Sequence, residues 1–181
     1  MDKNIAASFA AAAMLAAAQP AGAVDGVSFE IGTGDATDMA RAGVQWKWKS
    51  RWFDTGNWHL GGYWELSAGY WKGNGSAGGN TSLVDLGLTP VFRLQQTSLS
   101  SVSPYLEAAI GFHYLSRKRI HSGKSFGTNF NFGDHIGAGI RFGDRGRYDL
   151  GVRVQHLSNG GIKDPNPGIE FAQLRFQVHF D

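Results

Sequence analysis

His156, Ser158 and Glu170 are residues of the types that cleave esters, and their spacing brings two of them onto one side of a strand. A serine hydroxyl is a poor nucleophile unless a base lies beside it, and a histidine base benefits from a carboxylate that stabilises the imidazolium. Positions i and i+2 of a strand lie about 6 to 7 Å apart, so a hydrogen bond between His156 and Ser158 is feasible. Glu170 begins the next predicted strand. By spacing alone the evidence for a catalytic site is weak, and interfacial polar residues without a catalytic role explain the pattern better.

The three polar residues share their even parity with the apolar positions of the last two predicted strands. Those apolar positions are Val152, Val154, Leu174, Phe176, Val178 and Phe180. Successive side chains of a strand point to opposite faces, so His156, Ser158 and Glu170 interrupt an apolar face. A polar group on such a face costs free energy unless it has a partner, which makes mutual pairing of the three favourable. Groups suited to ester cleavage on a hydrocarbon-facing surface indicate an enzyme that acts on a membrane lipid.

The N-terminal segment is typical of an exported protein. It combines one lysine, an Ala-rich apolar run and Ala21-Gly22-Ala23, the small-x-small pattern of a signal-peptidase site. We predict a cleaved signal over residues 1–23 and a barrel over residues 24–181. A transmembrane helix is the weaker alternative, because the apolar run is shorter than the roughly 20 residues that a bilayer needs. The net charge of +2 gives no basis for a nucleic acid partner, and the absence of cysteine excludes thiol chemistry.

Period-two segments separated by turn signals follow one another from Gly26 onward, and none keeps a helical period over three turns. They predict eight strands and an all-β chain. The first three strands cover residues 27–33, 40–52 and 58–71, and the other five lie around residues 84–93, 105–114, 135–142, 152–155 and 172–180.

Parity alone does not say which face is inside, because a soluble lipocalin-like barrel would turn its apolar face inward. Four features favour an apolar exterior: the export signal, strands that can cross a bilayer at a tilt, aromatic residues near strand ends, and a polar face crowded with glycines and charges of both signs. We therefore predict an eight-stranded antiparallel transmembrane β-barrel. Its lumen is expected to pair Glu30, Glu65, Asp85 and Glu107 with Lys47, Lys49, Arg93, Arg141, Arg153 and Arg175.

An even number of strands places both chain termini in the periplasm of a Gram-negative bacterium. The seventh strand then rises to the cell surface and the eighth descends from it. His156, Ser158 and Glu170 are therefore expected at the outer-leaflet end of a bacterial outer-membrane barrel, where lipopolysaccharide resides.

The segment from His156 to Glu170, HLSNGGIKDPNPGIE, closely resembles the signature of the PagL family of outer-membrane lipid A 3-O-deacylases. The resemblance extends over most of the mature chain, including NFGDHIGAG at residues 131–139. It implies an eight-stranded barrel with a membrane-facing serine esterase site, in which Ser158 is the nucleophile, His156 the general base and then acid, and Glu170 the orienting carboxylate. Asn166 matches an asparagine of the family signature and is implied as an oxyanion donor. Further oxyanion candidates are Asn159 and the backbone amides of Gly160 and Gly161.

Two further groups carry hypotheses of their own. A tight turn near residues 143–147 would set Asp134 opposite His156, where it would orient the histidine, although a solvated rim carboxylate is an equal alternative. The basic residues of the predicted loop between strands five and six are suited to hold lipid phosphates, although a solvated loop explains them as well. These residues are Arg117, Lys118, Arg119 and Lys124.

The sequence and the resemblance together predict an esterase that releases the hydroxyacyl chain from the 3-position of lipid A through an acyl-enzyme, without a metal or cofactor. Its partners are lipid A or lipopolysaccharide as substrate and the surrounding outer-membrane lipids, and formation of a homodimer is left open. The alternatives are a non-catalytic small barrel, such as an adhesin or anchor, and a phospholipase or acyltransferase that uses the same triad.

Overall fold

A computed structural model describes residues 22–180, so most of the predicted signal segment, residues 1–21, lies outside the described residues together with Asp181. Eight antiparallel strands form a closed barrel in the order β1-β2-β3-β4-β5-β8-β9-β10, with β10 paired back to β1. The predicted eight-stranded antiparallel barrel is therefore confirmed. Within the described range, no helix is long and apolar enough to span a bilayer.

The barrel strands are β1 (Gly26–Gly34), β2 (Thr37–Lys47), β3 (Trp58–Gly73), β4 (Ser82–Gln96), β5 (Val102–Leu115), β8 (Phe130–Phe142), β9 (Tyr148–Ser158) and β10 (Ile169–His179). A small hairpin of β6 (Arg119–His121) and β7 (Lys124–Ser125) interrupts the β5–β8 connection, and a 3₁₀ turn at Asp144–Gly146 links β8 to β9. We call the rim that carries the β1–β2, β3–β4, β5–β8 and β9–β10 connections the loop end, and the opposite rim the terminal end.

The predicted end of strand β2 was wrong. It ends at Lys47 and not at Trp52, because the chain turns after it and Phe53 has a positive φ of 51°. The Trp48 ring packs against the Phe92 ring, with 4.9 Å between the two ring centroids, and is buried on the outer side of the barrel wall. Lys49 is exposed in this connection, so its predicted place in the lumen was also wrong.

The outer surface of the barrel is a continuous apolar band. Its most exposed side chains all occupy the face that parity assigned to lipid: Phe29, Ile31, Leu106, Ile136, Val152 and Val154, each more than half exposed. A water-soluble monomer rarely shows an apolar patch of this extent, whereas a membrane barrel needs one. The apolar-out prediction is therefore confirmed over the lipocalin-like alternative.

The middle of the lumen is filled by buried ion pairs. Arg153 bridges Glu30 at 2.6 Å and Glu107 at 2.5 Å, and Arg175 binds both Glu30 and Glu65. The predicted acids and three of the predicted arginines take part. Arg41 and Asp149 join them, although sequence reasoning had not named either: Arg41 pairs with Asp85 at 2.9 Å and Asp149 with Arg93 at 2.5 Å.

The lumen changes character near the loop end, where it becomes an apolar plug. Seven strand residues turn inward there: Met39, Trp71, Leu83, Leu115, Leu157, Ile169 and Phe171. Ile120 and Phe126 from the β5–β8 connection complete the cluster and are almost fully buried. Apolar residues therefore interrupt the polar inner face at this end, where a loop that folds over the barrel mouth shields them from water.

Replacing Arg175 by methionine should lower the free energy of unfolding by about 3 kcal/mol or more, because Glu30 and Glu65 lose a buried partner. Urea titration of the barrel in detergent micelles, followed by tryptophan fluorescence, measures the change. Arg51→Met, at an exposed arginine, is the matched control and should cost little. Unfolding of Arg175→Met at the same urea concentration as the native barrel would contradict the expectation.

Candidate active site

His156 and Glu170 lie side by side on the outer surface at the loop end. They are direct partners in the register of β9 and β10. The His156 Nδ1 atom is 3.7 Å from the Glu170 Oε1 atom, and both side chains are partly exposed. Because antiparallel partners point to the same face of a sheet, the register alone accounts for this proximity. The pairing predicted from the sequence is therefore present.

Ser158 is the last residue of β9 and points to the same face as His156. Its cross-strand partner is Phe132 of β8, and its Oγ atom accepts a long hydrogen bond of 3.5 Å from the Gly160 N–H. Among the described residues, no hydrogen bond joins the Ser158 hydroxyl to the His156 ring. Catalytic hydrogen bonds are often long or poorly aligned in the absence of substrate.

Gly168 packs directly against the His156 ring, a contact that sequence reasoning missed. A Cβ atom at residue 168 would lie 2.5 Å from His156 Cε1 and 3.1 Å from its Nε2. Gly168 also has a φ of +64°, which other residues rarely adopt. The only sequence signal for this contact is a glycine two residues before Glu170. A bare backbone at this position therefore allows the imidazole to sit where it does.

The β9–β10 loop is held by two asparagines. The Asn159 side chain is fully buried, donates to Lys163 O at 2.6 Å and accepts from the Gly161 N–H at 3.0 Å. The Asn159 N–H donates to Asn166 Oδ1 at 2.9 Å. Within the described chain, the Asn159 amide and the Gly161 N–H are thus engaged in the loop, whereas Asn166 Nδ2 has no hydrogen-bond partner. Of the four predicted oxyanion donors in the described chain, Asn166 Nδ2 is unengaged, and the Gly160 N–H makes only the long hydrogen bond of 3.5 Å to Ser158 Oγ.

Asp134 flanks His156 on the side opposite to Glu170. It is the direct partner of His156 in the register of β8 and β9, as predicted, and its side chain is exposed. In the part of the chain that the structure describes, it forms no ion pair with His156. A role for Asp134 stays a prediction.

The four basic residues of the β5–β8 connection do not form one exposed cluster. Lys118 and Arg119 are exposed, and Arg117 donates to Thr81 Oγ1 at 2.9 Å. Lys124 is largely buried and donates to Asp35 Oδ2 at 3.0 Å and to Gly168 O at 2.8 Å. The contact of these residues with lipid phosphates stays a prediction. Lys124 differs from the other three because its ammonium is engaged by acceptors within the protein.

Asp35 connects the β1–β2 turn to the candidate site. Besides Lys124, its Oδ2 atom accepts a hydrogen bond of 3.1 Å from the Glu170 N–H. Burial raises the pKa of Asp35, but the hydrogen bonds from Lys124 and from the Glu170 N–H outweigh this effect and hold that pKa below its usual value. The Asp35 side chain is therefore held as a carboxylate beneath the start of β10.

Comparisons with known proteins agree on one family. Residues 38–179 match the family model described as lipid A 3-O-deacylase (PagL). The chain is 36% identical over 153 residues to the lipid A deacylase PagL of Pseudomonas aeruginosa, covering 84% of each chain. It is 33% identical over 162 residues to that of Bordetella bronchiseptica, covering 86% of this chain and 83% of the relative. A crystal structure of the outer membrane enzyme PagL superposes with a TM-score of 0.75 at 32% identity, covering 86% of this chain and 99% of that one.

Gly168→Ala should displace the His156 ring from its present position, because the new methyl group would lie 2.5 Å from His156 Cε1. The chemical shifts of the imidazole nitrogens in a histidine-labelled barrel, or a crystal structure of the variant, report the displacement. Gly78→Ala is the matched control, since Gly78 has a similar φ of +75° and no atom within 4 Å of the added Cβ. An undisturbed His156 ring in Gly168→Ala would show that the glycine does not set its position.

Proposed function

Because the chain belongs to the lipid A 3-O-deacylase (PagL) family, we propose that it hydrolyses the ester-linked hydroxyacyl chain at the 3-position of lipid A. The observation that carries this proposal is the register that pairs His156 with Glu170 beside Ser158, on the face of the barrel that touches lipid. An ester inside the bilayer surface can reach such a site without leaving the membrane.

The chain is an outer-membrane barrel, and its orientation follows from its strand count. Eight strands place the two termini on one side, and in bacterial outer-membrane barrels that side is the periplasm. We therefore assign the loop end to the cell surface. Ser158, His156 and Glu170 then lie at the level of the outer leaflet, where lipid A is present.

In the proposed first half-reaction, Ser158 Oγ attacks the ester carbonyl carbon while His156 Nε2 takes the hydroxyl proton. Glu170 lies on the Nδ1 side of the ring, where a carboxylate favours the tautomer with a free Nε2 and stabilises the imidazolium. The tetrahedral intermediate then collapses. The bond to the sugar oxygen breaks, His156 returns the proton to that oxygen, and the acyl group stays on Ser158.

In the second half-reaction, a water molecule attacks the acyl-enzyme and His156 takes its proton. Collapse of this intermediate breaks the bond to Ser158 Oγ, which regains the proton, and a free hydroxy fatty acid leaves into the membrane. The negative charge on the carbonyl oxygen in both intermediates needs preorganised donors. The Gly160 N–H, which faces Ser158, and the unengaged Asn166 Nδ2 support such a role.

The surface around Ser158 is suited to hold an acyl chain. Phe132, directly across from Ser158, belongs to an aromatic cluster with Phe112 and Phe130, whose ring centroids are 5.2 to 6.0 Å apart. Apolar side chains continue down the neighbouring strands: Val152, Val154, Leu174 and Phe176. We propose that the acyl chain lies on this surface, so that hydrophobic contact orients the ester at Ser158. Arg117, Lys118 and Arg119, all exposed at the loop end, are the proposed phosphate contacts.

Ser158→Ala and His156→Ala should each lower the rate of hydroxy fatty acid release from lipid A by at least about 10³-fold, since each removes a member of a unit that acts together. Mass spectrometry of lipid A and of the released acid measures the loss, and glycerophospholipid vesicles tested in parallel reveal a phospholipase. Ser76→Ala, at an exposed serine of the β3–β4 loop, is the matched control. Full activity of either site variant, with the same barrel mobility in gels before heating, would remove the proposed mechanism.

The Asp134→Asn variant tests whether the Asp134 carboxylate orients His156 or has no part in the reaction. If Asp134 helps to orient His156, the variant should lower kcat by about tenfold, because a misoriented base loses much of the benefit of general base catalysis. Steady-state kinetics on lipid A in mixed micelles measure kcat and KM separately. Undiminished turnover would exclude Asp134 from the mechanism and leave Glu170 as the carboxylate partner of His156.

A further inference from the structure

Lys124 joins three separate connections of the loop end. It belongs to the β6–β7 hairpin, and its ammonium donates to Gly168 O of the β9–β10 loop at 2.8 Å and to Asp35 Oδ2 of the β1–β2 turn at 3.0 Å. Only 13% of its side chain is exposed, compared with 40% of that of Asp35. A lysine held in this way has lost much of its hydration and most of its rotational freedom, so it is not arranged to meet an external anion.

Both acceptors of Lys124 lead directly to the residues of the candidate site. Gly168 is the glycine whose backbone packs against the His156 ring. Asp35 Oδ2, the second acceptor, also accepts the N–H of Glu170 at 3.1 Å. One ammonium group therefore stabilises the position of the backbone behind His156 and, through one carboxylate, the start of the strand that carries Glu170.

The hairpin that supplies Lys124 is itself anchored to the same two connections. His121 Nε2 donates to Asp35 O at 2.9 Å, and the Gly127 N–H donates to Pro165 O at 2.6 Å. Ile120 in β6 and Phe126, directly after β7, are buried in the apolar plug. The position of Lys124 is thus fixed by buried packing in the barrel mouth, and it does not depend on the exposed part of the loop.

We propose that Lys124 and Asp35 are positioning residues that hold Gly168 and Glu170 so that His156 stays within reach of Ser158. This inference rests on the proposed deacylase function and assigns to Lys124 a part in kcat. A lysine that bound a lipid phosphate would instead act on KM, because such a contact is made equally in the ground state and the transition state.

Lys124→Met, Asp35→Asn and the double variant test the proposal with kinetics on lipid A in mixed micelles. Each single variant should lower kcat at least about tenfold, because a displacement of about 1 Å at a catalytic group is costly. KM should change by less than about twofold. Since the two side chains act as one unit, the double variant should be no slower than the slower single variant. Lys72→Met, at an exposed lysine of the same rim, is the matched control and should keep both constants.

Amide hydrogen exchange at Glu170, followed by NMR in micelles, tests the clamp independently of activity. Its N–H should exchange faster in Asp35→Asn and in Lys124→Met than in the native barrel, because the acceptor at 3.1 Å is weakened or released. Unchanged exchange, or a raised KM with native kcat in Lys124→Met, would overturn the positioning role. A native barrel that leaves lipid A intact would instead overturn the proposed function, whatever the exchange rates are.

Discussion

The closed backbone ladder of the eight strands is the constraint on which the rest of this structure depends. In a bilayer no water is present to satisfy an unpaired N–H or C=O, so every strand must be paired on both sides. Closure of β10 on β1 meets this requirement and at the same time sets one register for each strand pair. A shift of one residue between β9 and β10 would turn His156 and Glu170 to opposite faces. The geometry of the candidate site is thus a consequence of the way the wall closes.

Two kinds of interior stabilise that wall in different ways. In the middle of the lumen, arginines and carboxylates are buried together, and each charge is tolerable only because several opposite charges surround it. Near the loop end the lumen is apolar and is closed by Ile120 and Phe126. The ion pairs fill the middle of the narrow barrel with side chains, and the surface connections pack against the apolar cluster near the loop end. The β9–β10 loop can therefore be well positioned although it lies at the edge of the molecule.

The candidate site lies on the outer face of the barrel at the loop end, and its groups are exposed to different degrees. The Glu170 side chain is 72% exposed and that of His156 40% exposed, whereas the loop that surrounds Ser158 is fixed by the fully buried Asn159. A carboxylate in the polar headgroup region avoids the desolvation that it would meet deeper in the bilayer. The Ser158 hydroxyl, by contrast, has an aromatic neighbour in Phe132, its partner in the strand register. This gradient of exposure suits the proposed substrate, an ester with a polar sugar on one side and an acyl chain on the other.

Much of this molecule follows from local sequence patterns. The alternation of side chains along each strand was enough to predict the strands and the common face of His156, Ser158 and Glu170, because parity depends only on neighbouring residues. The apolar exterior needed further features: the export signal, the strand lengths, the aromatic residues near strand ends and the content of the polar face. The end of β2 at Lys47 was not predictable in this way, since aromatic residues continued the pattern beyond the turn. The inner acids and arginines were largely foreseen, but Arg41 and Asp149 became partners only when strands far apart in sequence met across the lumen.

What the sequence determined by itself was which face each residue occupies, because a period of two is a local property of the backbone. What only the tertiary structure decided was how the connections meet over the barrel mouth. The contact of Gly168 with His156, the buried amide of Asn159 and the bridge from Lys124 to Asp35, 89 residues away, all belong to this second class. Contacts between loops depend on where closure of the whole barrel brings their ends, and no local pattern encodes that position.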